Sequence, residues 1–119
     1  MRVLIPTYEP GGLEARVYPH WRDSPTFTQV DVGEGCRVEG VKVHRLESDE
    51  LIIDLVKREG VDCVIALSLS TRALELLTRV GVKVLTGSFS TVKEAIQLLC
   101  RRELYALRLE KVPASQVLP

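Results

Sequence analysis

The chain has 119 residues, of which 45% are hydrophobic and 27% charged, a composition typical of one soluble globular domain. Its 16 basic and 16 acidic residues cancel, so no net positive charge favours binding to nucleic acid. No apolar run reaches the length needed to span a bilayer, and residues 1–3 lead directly into an apolar segment without a signal-peptide pattern. We therefore expect a cytoplasmic protein that binds neither nucleic acid nor a membrane.

The first strand is predicted over residues 2–5, with Pro6 as its end. The loop that follows contains Gly11 and Gly12, which can let the backbone approach a ligand closely or can simply form a turn. Residues 19–25 then combine the single tryptophan with a histidine and an arginine between two prolines. This segment is too polar for a strand and too closely bounded by proline for a long helix, so we predict a loop.

Two alternating segments, residues 26–32 and 37–46, flank the glycine-containing turn at residues 33–35. This pattern predicts an antiparallel hairpin, with a bulge at Gly40. In the second strand, the inward side chains are expected to be Val38, Leu46 and either Val41 or Val43.

The second half of the chain has the pattern of alternating helices and strands. Ser48 is the predicted N-cap of a helix that buries Leu51, Ile52, Leu55 and Val56 and ends at Gly60. Residues 61–87 then form a strand, a helix with Ser70 as its predicted N-cap, and a strand, which is the pattern of one βαβ unit. A T-x-x-E capping box that begins at Thr91 opens the last helix.

The C-terminal tail, residues 104–119, alternates Tyr105, Leu107 and Leu109 with more polar or smaller residues. We expect either a final edge strand or a segment that pairs with another chain, which would make a homodimer. The domain itself is assigned to residues 1–103. The element order predicts an α/β fold in three layers, with a mixed five-stranded sheet, an N-terminal antiparallel hairpin and a C-terminal βαβ unit.

The three cysteines are Cys36, Cys63 and Cys100. Their number is odd and no CxxC pair occurs, which argues against a disulfide framework or a cysteine zinc site. We expect Cys63 in a strand and Cys100 in a helix to be small buried apolar side chains. Cys36 is expected at an exposed turn without a partner.

Several motifs follow one another in a characteristic order. They are a first strand ending in Ile-Pro, V-x-x-H-aromatic at residues 17–21, P-x-F at 25–27, G-V-D-x-V-I-A at 60–66, R-A-L-E-L-L at 72–77, G-V-K-V at 81–84 and T-V-x-E-A at 91–95. Together they resemble the dinitrogenase iron-molybdenum cofactor biosynthesis family over residues 1–103. The resemblance implies a ribonuclease H-like motif fold. It also implies a small carrier of an iron–sulfur or iron–molybdenum cluster, with metallocluster-assembly proteins as partners.

The resemblance places His20 at the position of a family histidine implicated in holding the metal cluster. Trp21 and Arg22 replace the phenylalanine and glycine that follow it. An imidazole nitrogen can ligate iron, and a guanidinium can donate to an anionic cluster. We therefore predict His20 as the metal ligand, with Trp21, Arg22, Gly11 and Gly12 as further cofactor-binding residues.

Three loops depart from the family pattern. Asp23 and Ser24 stand where many nitrogenase-associated members have a cysteine, residues 43–48 lack glycine, and residues 67–70 replace a glycine-rich turn. The alternative is therefore a non-metal protein-interaction module of the same fold. In that interpretation Trp21 packs on the sheet edge, while His20 and Arg22 are solvated beside it.

Catalysis is not predicted. Two-metal hydrolysis needs clustered carboxylates, whereas Asp31, Asp54 and Asp62 show no metal-ligand spacing. No nucleophile motif or cysteine–histidine pair is visible either. We therefore expect a binding protein and not an enzyme.

Overall fold

The computed structural model describes residues 1–108. The described residues form a mixed sheet with three helices. In chain order, the elements are β1 (Arg2–Thr7), β2 (Thr26–Val32), β3 (Val38–His44), α1 (Asp49–Glu59), β4 (Cys63–Ile65), α2 (Thr71–Arg79), β5 (Lys83–Thr86), α3 (Val92–Cys100) and β6 (Tyr105–Ala106). A short 3-10 turn, Glu34–Cys36, joins β2 to β3.

The strand order across the sheet is β3-β2-β1-β4-β5-β6. Strands β1, β4 and β5 are parallel to one another, whereas β2 is antiparallel to β1 and β3, and β6 is antiparallel to β5. The predicted hairpin and the predicted strand–helix–strand unit are both present. The sheet has six strands and not five, because Tyr105 and Ala106 pair with β5 of the same chain. Leu109 and the rest of the tail lie outside the described residues, and the ribonuclease H-like motif stays a prediction.

Helices cover both faces of the sheet, which makes the three layers. On one face, α1 and α2 bury Ile52, Leu55 and Leu77 against Leu4 and Val64. The opposite face carries a second core, built by α3 and the alternate side chains of the same strands. Its members include Val3, Ile5, Val30, Ile65, Val92, Ala95 and Ile96. Each central strand therefore buries both faces, which explains why β1 and β4 are continuous apolar runs.

The three helices begin at hydroxyl caps, as predicted. The hydroxyls of Ser48, Ser70 and Thr91 accept from the backbone N–H groups three residues further on, at 3.1–3.2 Å. Gly60 ends α1 in the left-handed conformation, with φ +66°. Leu51 does not belong to the buried stripe, since it is 49% exposed and only Ile52, Leu55 and Val56 of this helix are buried.

Two expectations about strand boundaries and burial are wrong. β1 continues through Pro6 to Thr7, because β4 pairs only with Val3 and Leu4 and leaves Pro6 with a single neighbouring strand. β3 does not bury its valines: Val38, Val41 and Val43 are 36–40% exposed. β3 is the edge strand of the sheet, and Leu46, which follows it, is partly buried against the core on the face of α1 and α2.

The bulge predicted at Gly40 is adjacent to a shift in register. Asp31 pairs with Gly40 while Val32 pairs with Val38, so Glu39 is the extra residue of β3. Bulges of this kind are common on edge strands, where they increase the local twist.

Two expectations about the cysteines are wrong. Cys36 and Cys100 form a disulfide with 6.0 Å between their Cα atoms, so neither is a free side chain, and Cys100 is half-buried and not buried. The turn between β2 and β3 meets the end of α3 in space, but 64 positions separate the two residues in sequence, and local patterns give no sign of such a contact. Cys63 is buried as predicted, and burial raises the pKa of its thiol to about 12.

Candidate functional site

Four strands of the sheet end at the same edge. Strands β1, β4 and β5 are parallel, and β3 shares their direction because both β3 and β1 are antiparallel to β2. The loops at residues 8–25, 45–48, 66–70 and 87–91 therefore meet at what we call the carboxyl edge. In open α/β sheets, ligands bind outside the carboxyl ends of the strands.

The amino ends of the three helices also face the carboxyl edge, because each helix follows one of these loops. The amino end of a helix carries a partial positive charge. Asp49 and Glu50 in the first turn of α1, and Glu94 in that of α3, offset this charge. The first turn of α2 contains no acidic residue, so α2 presents the most positive helix end at this edge.

The loop that carries His20 is anchored by its tryptophan. Trp21 is 3% exposed and packs edge-on against Phe27, with 5.1 Å between the ring centroids. Its backbone N–H donates to the carbonyl of Ser68 at 3.2 Å, which ties the loop to the segment before α2. Trp21 is therefore a core residue, and its side chain does not face the solvent beside His20.

His20 and Arg22 flank this anchor and are both exposed. They border a depression of about 260 Å³ that is also lined by Ser68, Leu69 and Ser70. A second depression of about 360 Å³ lies next to it, between Arg22 and the amino ends of α1 and α2. Arg22 and Ser70 line both depressions, which we call together the Arg22 cleft.

Two arginines face the Arg22 cleft. The guanidinium of Arg72 forms a salt bridge with Glu50 at 3.2 Å, between two largely exposed side chains. Arg22 forms no salt bridge with any other residue in the described part of the chain. Its donors are therefore available to a ligand, whereas those of Arg72 are partly used.

Gly11 and Gly12 lie elsewhere. Gly11, with φ +78°, packs so closely on the sheet that an added Cβ would lie 2.7 Å from Val43 Cγ1. Gly12 donates its N–H to the hydroxyl of Thr28 at 3.0 Å. Thr28 and Val43 belong to the face that packs against α3, opposite to that of Trp21. The two glycines line neither depression of the Arg22 cleft, and their observed role is to fit the loop against β2 and β3.

The three cysteines lie away from the Arg22 cleft. Cys63 begins β4, Cys36 precedes β3 and Cys100 ends α3, which places all three at the edge opposite to the carboxyl edge. Among residues 1–108, no three histidine, cysteine or acidic side chains are grouped so that they could hold a metal ion. The polar side chains of the cleft comprise one imidazole, two guanidiniums, several hydroxyls and four carboxylates, which are those of Asp23, Glu47, Asp49 and Glu50. Such a set can supply a single nitrogen ligand to a metal, and an anion in the cleft would contact Arg22 beside these carboxylates.

Sequence reasoning did not find Arg72 or Ser68. The signal was available in the topology, because the loop after β4 must lie beside the loop after β1 when these two strands are parallel neighbours. Ser70 had been recognised only as a helix cap, and it does serve as one.

Comparison with known families gives a match over most of the chain. The family model described as "Dinitrogenase iron-molybdenum cofactor" matches residues 1–102. No curated protein matches the sequence.

Several solved structures have the same fold. The protein PH0822 is 27% identical over 89% of this chain and 96% of its own, with a TM-score of 0.77. TM1290 from Thermotoga, described as a candidate NifB protein, is 25% identical over 93% of this chain and 97% of its own, with a TM-score of 0.75. The apo form of the orange protein from Desulfovibrio gigas is 18% identical over 89% of this chain and 92% of its own, with a TM-score of 0.72. At this identity the comparison shows a similar fold alone. No helix within residues 1–108 is long and apolar enough to cross a membrane.

Proposed function

Because the chain belongs to the dinitrogenase iron-molybdenum cofactor family, we propose that it is a small cytoplasmic carrier of an iron–sulfur or iron–molybdenum cluster. The cluster is its cargo, received from and delivered to metallocluster-assembly proteins. We place the cargo in the Arg22 cleft, within the domain of residues 1–103. The proposal is one of binding and transfer without catalysis.

The observation that supports this proposal most directly is the juxtaposition of His20, Arg22 and the amino end of α2. Trp21 fixes the loop between the two exposed side chains by its burial against Phe27. The same residue joins the loop to Ser68, two positions before the cap of α2. An imidazole, a guanidinium without a salt bridge and the amino end of α2 therefore face one depression, which Asp23 also lines.

Each of these groups has a role toward an anionic cluster. His20 can ligate one iron through a ring nitrogen, since the neutral imidazole is a common metal ligand. Arg22 and the amino end of α2 attract negative charge. No thiolate lies nearby, and the carboxylates that line the cleft oppose an anion, so the protein would hold the cluster loosely, through one metal bond and the positive charge of Arg22 and of the α2 end. A small number of ligands suits a carrier, because the cargo must also be released.

The test is anaerobic incubation of the purified full chain with ferrous iron and sulfide, followed by gel filtration and measurement of iron per chain. We expect iron to co-elute with the wild-type protein. Arg22→Ala should reduce the retained iron several-fold, because it removes the free guanidinium of the cleft. Arg79→Ala is the matched control, since Arg79 is an exposed arginine in the last turn of α2, far from its amino end. Equal retention by both variants would remove Arg22 from the proposed site.

A second candidate function, a non-metal interaction module that forms a homodimer, is supported by the edges of the sheet. The edge strand β3 exposes three valines, and β6 at the other edge has only two residues, with Tyr105 70% exposed. Exposed edges are sites where another chain can pair. Light scattering should then report a dimer, and ending the chain after Glu103 or introducing Val41→Lys would show which edge is used. A monomeric wild-type protein would exclude the homodimer.

A further inference from the structure

A cavity of about 900 Å³ lies at the edge opposite to the Arg22 cleft. Its wall contains the Cys36–Cys100 disulfide. We propose that this disulfide is a thiol–disulfide exchange site, which a dithiol reductant opens while the rest of the protein stays folded. The inference is independent of the proposed carrier function, since no residue of the Arg22 cleft takes part.

Access to the sulfur atoms favours exchange over a purely structural crosslink. Cys36 is an exposed residue in the turn between β2 and β3, and Cys100 at the end of α3 is half-buried. Both line the open cavity, which leaves room for an incoming thiol beside the bond. Disulfides that are accessible in this way are the ones that react in folded proteins.

The charge around the cavity also supports reaction with a thiolate. Arg37, Arg102 and the amino-terminal Met1 line it, together with two carboxylates, Glu34 and Glu39. Three cationic groups thus face two anionic ones. Neighbouring cations stabilise a thiolate, both when it approaches and when it leaves.

The backbone at one of the two cysteines is held in a conformation that most residues avoid. Cys36 has φ +60°, whereas Cys100 ends α3 and the left-handed Arg102 after it closes the helix by donating its N–H to the Leu99 carbonyl at 3.1 Å. Residues other than glycine seldom adopt this left-handed region, because the Cβ atom crowds the backbone. Opening the bond frees Cys36 to leave this conformation, so reduction should loosen the turn between β2 and β3 without disturbing the sheet.

The exchange reaction follows the usual two steps. A thiolate of the dithiol attacks Cys36 Sγ, the bond between the two cysteine sulfurs breaks, and Cys100 leaves as a thiolate that takes up a proton. The second sulfur of the dithiol then attacks the first, which forms a disulfide in the reductant and releases Cys36. The protein gains two electrons and two protons, and the dithiol loses both.

Cys63 provides an internal reporter of unfolding. It is 2% exposed, and burial raises the pKa of its thiol to about 12, so it should react with an alkylating reagent only when the central sheet opens. Reaction at Cys36 and Cys100 without reaction at Cys63 therefore means that the disulfide opens in the folded protein.

The experiment treats the full chain with dithiothreitol in buffer without denaturant, alkylates samples over time with a maleimide, and counts labels by intact mass and peptide mapping. We expect two labels, at Cys36 and Cys100, to appear at least about tenfold faster than a third at Cys63. A Cys63→Ser variant should still acquire two labels, at Cys36 and Cys100. If Cys36 and Cys100 are labelled only together with Cys63, the bond opens only on unfolding and the proposal is wrong.

The sulfur that is attacked is identified by treating the wild-type disulfide with the monothiol glutathione, quenching with acid at early times and mapping the peptide that carries the glutathione adduct. The adduct should form on Cys36 several-fold faster than on Cys100, because Cys36 is the more exposed. Faster reaction at Cys100 would contradict the assignment of Cys36 as the attacked residue.

Discussion

The indole ring of Trp21 meets the phenyl ring of Phe27 edge-on, with 5.1 Å between the ring centroids, and both side chains are buried. Phe27 belongs to β2, while Trp21 lies in the loop after β1. The contact therefore fastens the loop onto the core and leaves His20 and Arg22 on either side at the surface. One aromatic pair links the stability of the fold to the geometry of the Arg22 cleft.

Replacing Trp21 should lower the stability of the fold. Trp21→Ala should lower the free energy of unfolding by about 3–5 kcal/mol, the usual cost of removing a large buried aromatic side chain. Trp21→Phe should cost less, because it keeps an aromatic contact with Phe27. Urea unfolding followed by circular dichroism measures the free energy of unfolding of both variants. If Trp21→Ala were as stable as the wild type, the loop would not be anchored as described.

The anchor also shows how far sequence reasoning reaches. The motif at residues 17–21 identified the loop, and the caps at Ser48, Ser70 and Thr91 located the three helices correctly. Whether Trp21 faced a ligand or the protein remained open, because that depends on contacts with Phe27 and Ser68, which lie in other elements.

Contacts between elements that are distant in sequence also explain the predictions that were wrong. Alternation in residues 37–46 correctly indicated a strand, but it does not say whether a helix covers that strand, and β3 proved to be an exposed edge. The disulfide joins two ends of elements that meet only in the folded sheet. The sixth strand is two residues long and depends on pairing with β5.

The centre of the sheet offers a direct test of the fold. Val64 in β4 is completely buried and has neighbouring strands on both sides. Val64→Asp would bury an unpaired charge, so it should prevent folding or lower stability by several kcal/mol, on the order of 4. Val41→Asp on the edge strand β3, where the side chain is 40% exposed, is the matched control and should cost much less. Similar costs at both positions, measured by thermal unfolding, would mean that the sheet order is wrong.

The disulfide should contribute to stability mainly by restricting the unfolded chain. With 64 positions between Cys36 and Cys100, the chain-entropy model gives a stabilisation of about 4 kcal/mol. Urea unfolding with and without dithiothreitol measures this difference. The double variant Cys36→Ser with Cys100→Ser should match the reduced protein and should not respond to the reductant. An equally stable reduced wild type would show that the bond adds nothing.

The pH dependence of stability should include a contribution from His44. Its imidazole Nε2 lies 2.9 Å from Gln29 Oε1, and partial burial lowers its pKa below the usual value, with Lys42 and Arg58 adding to the effect and Glu59 opposing it. The unfolded state then binds the proton more readily, so stability should fall as the pH drops from about 6.5 to the folded-state pKa and level off below it.

The His44→Gln variant isolates this contribution, since glutamine does not titrate. Its urea midpoint should change less than that of the wild type between about pH 7.5 and about pH 5. An unchanged slope in His44→Gln would contradict the predicted direction of the shift.

The carrier function depends most directly on His20, and the chain has only one other histidine, His44. The decisive measurement is iron retained per chain after anaerobic reconstitution and gel filtration, compared for wild type, His20→Ala and His44→Gln. His20→Ala should retain roughly tenfold less cluster, equivalent to about 1.4 kcal/mol of binding free energy, with an unchanged circular dichroism spectrum. The His44→Gln variant should behave like the wild type. Retention of no iron above background by the wild-type protein would contradict the carrier function itself, whereas equal retention by all three proteins would show that His20 is not the ligand.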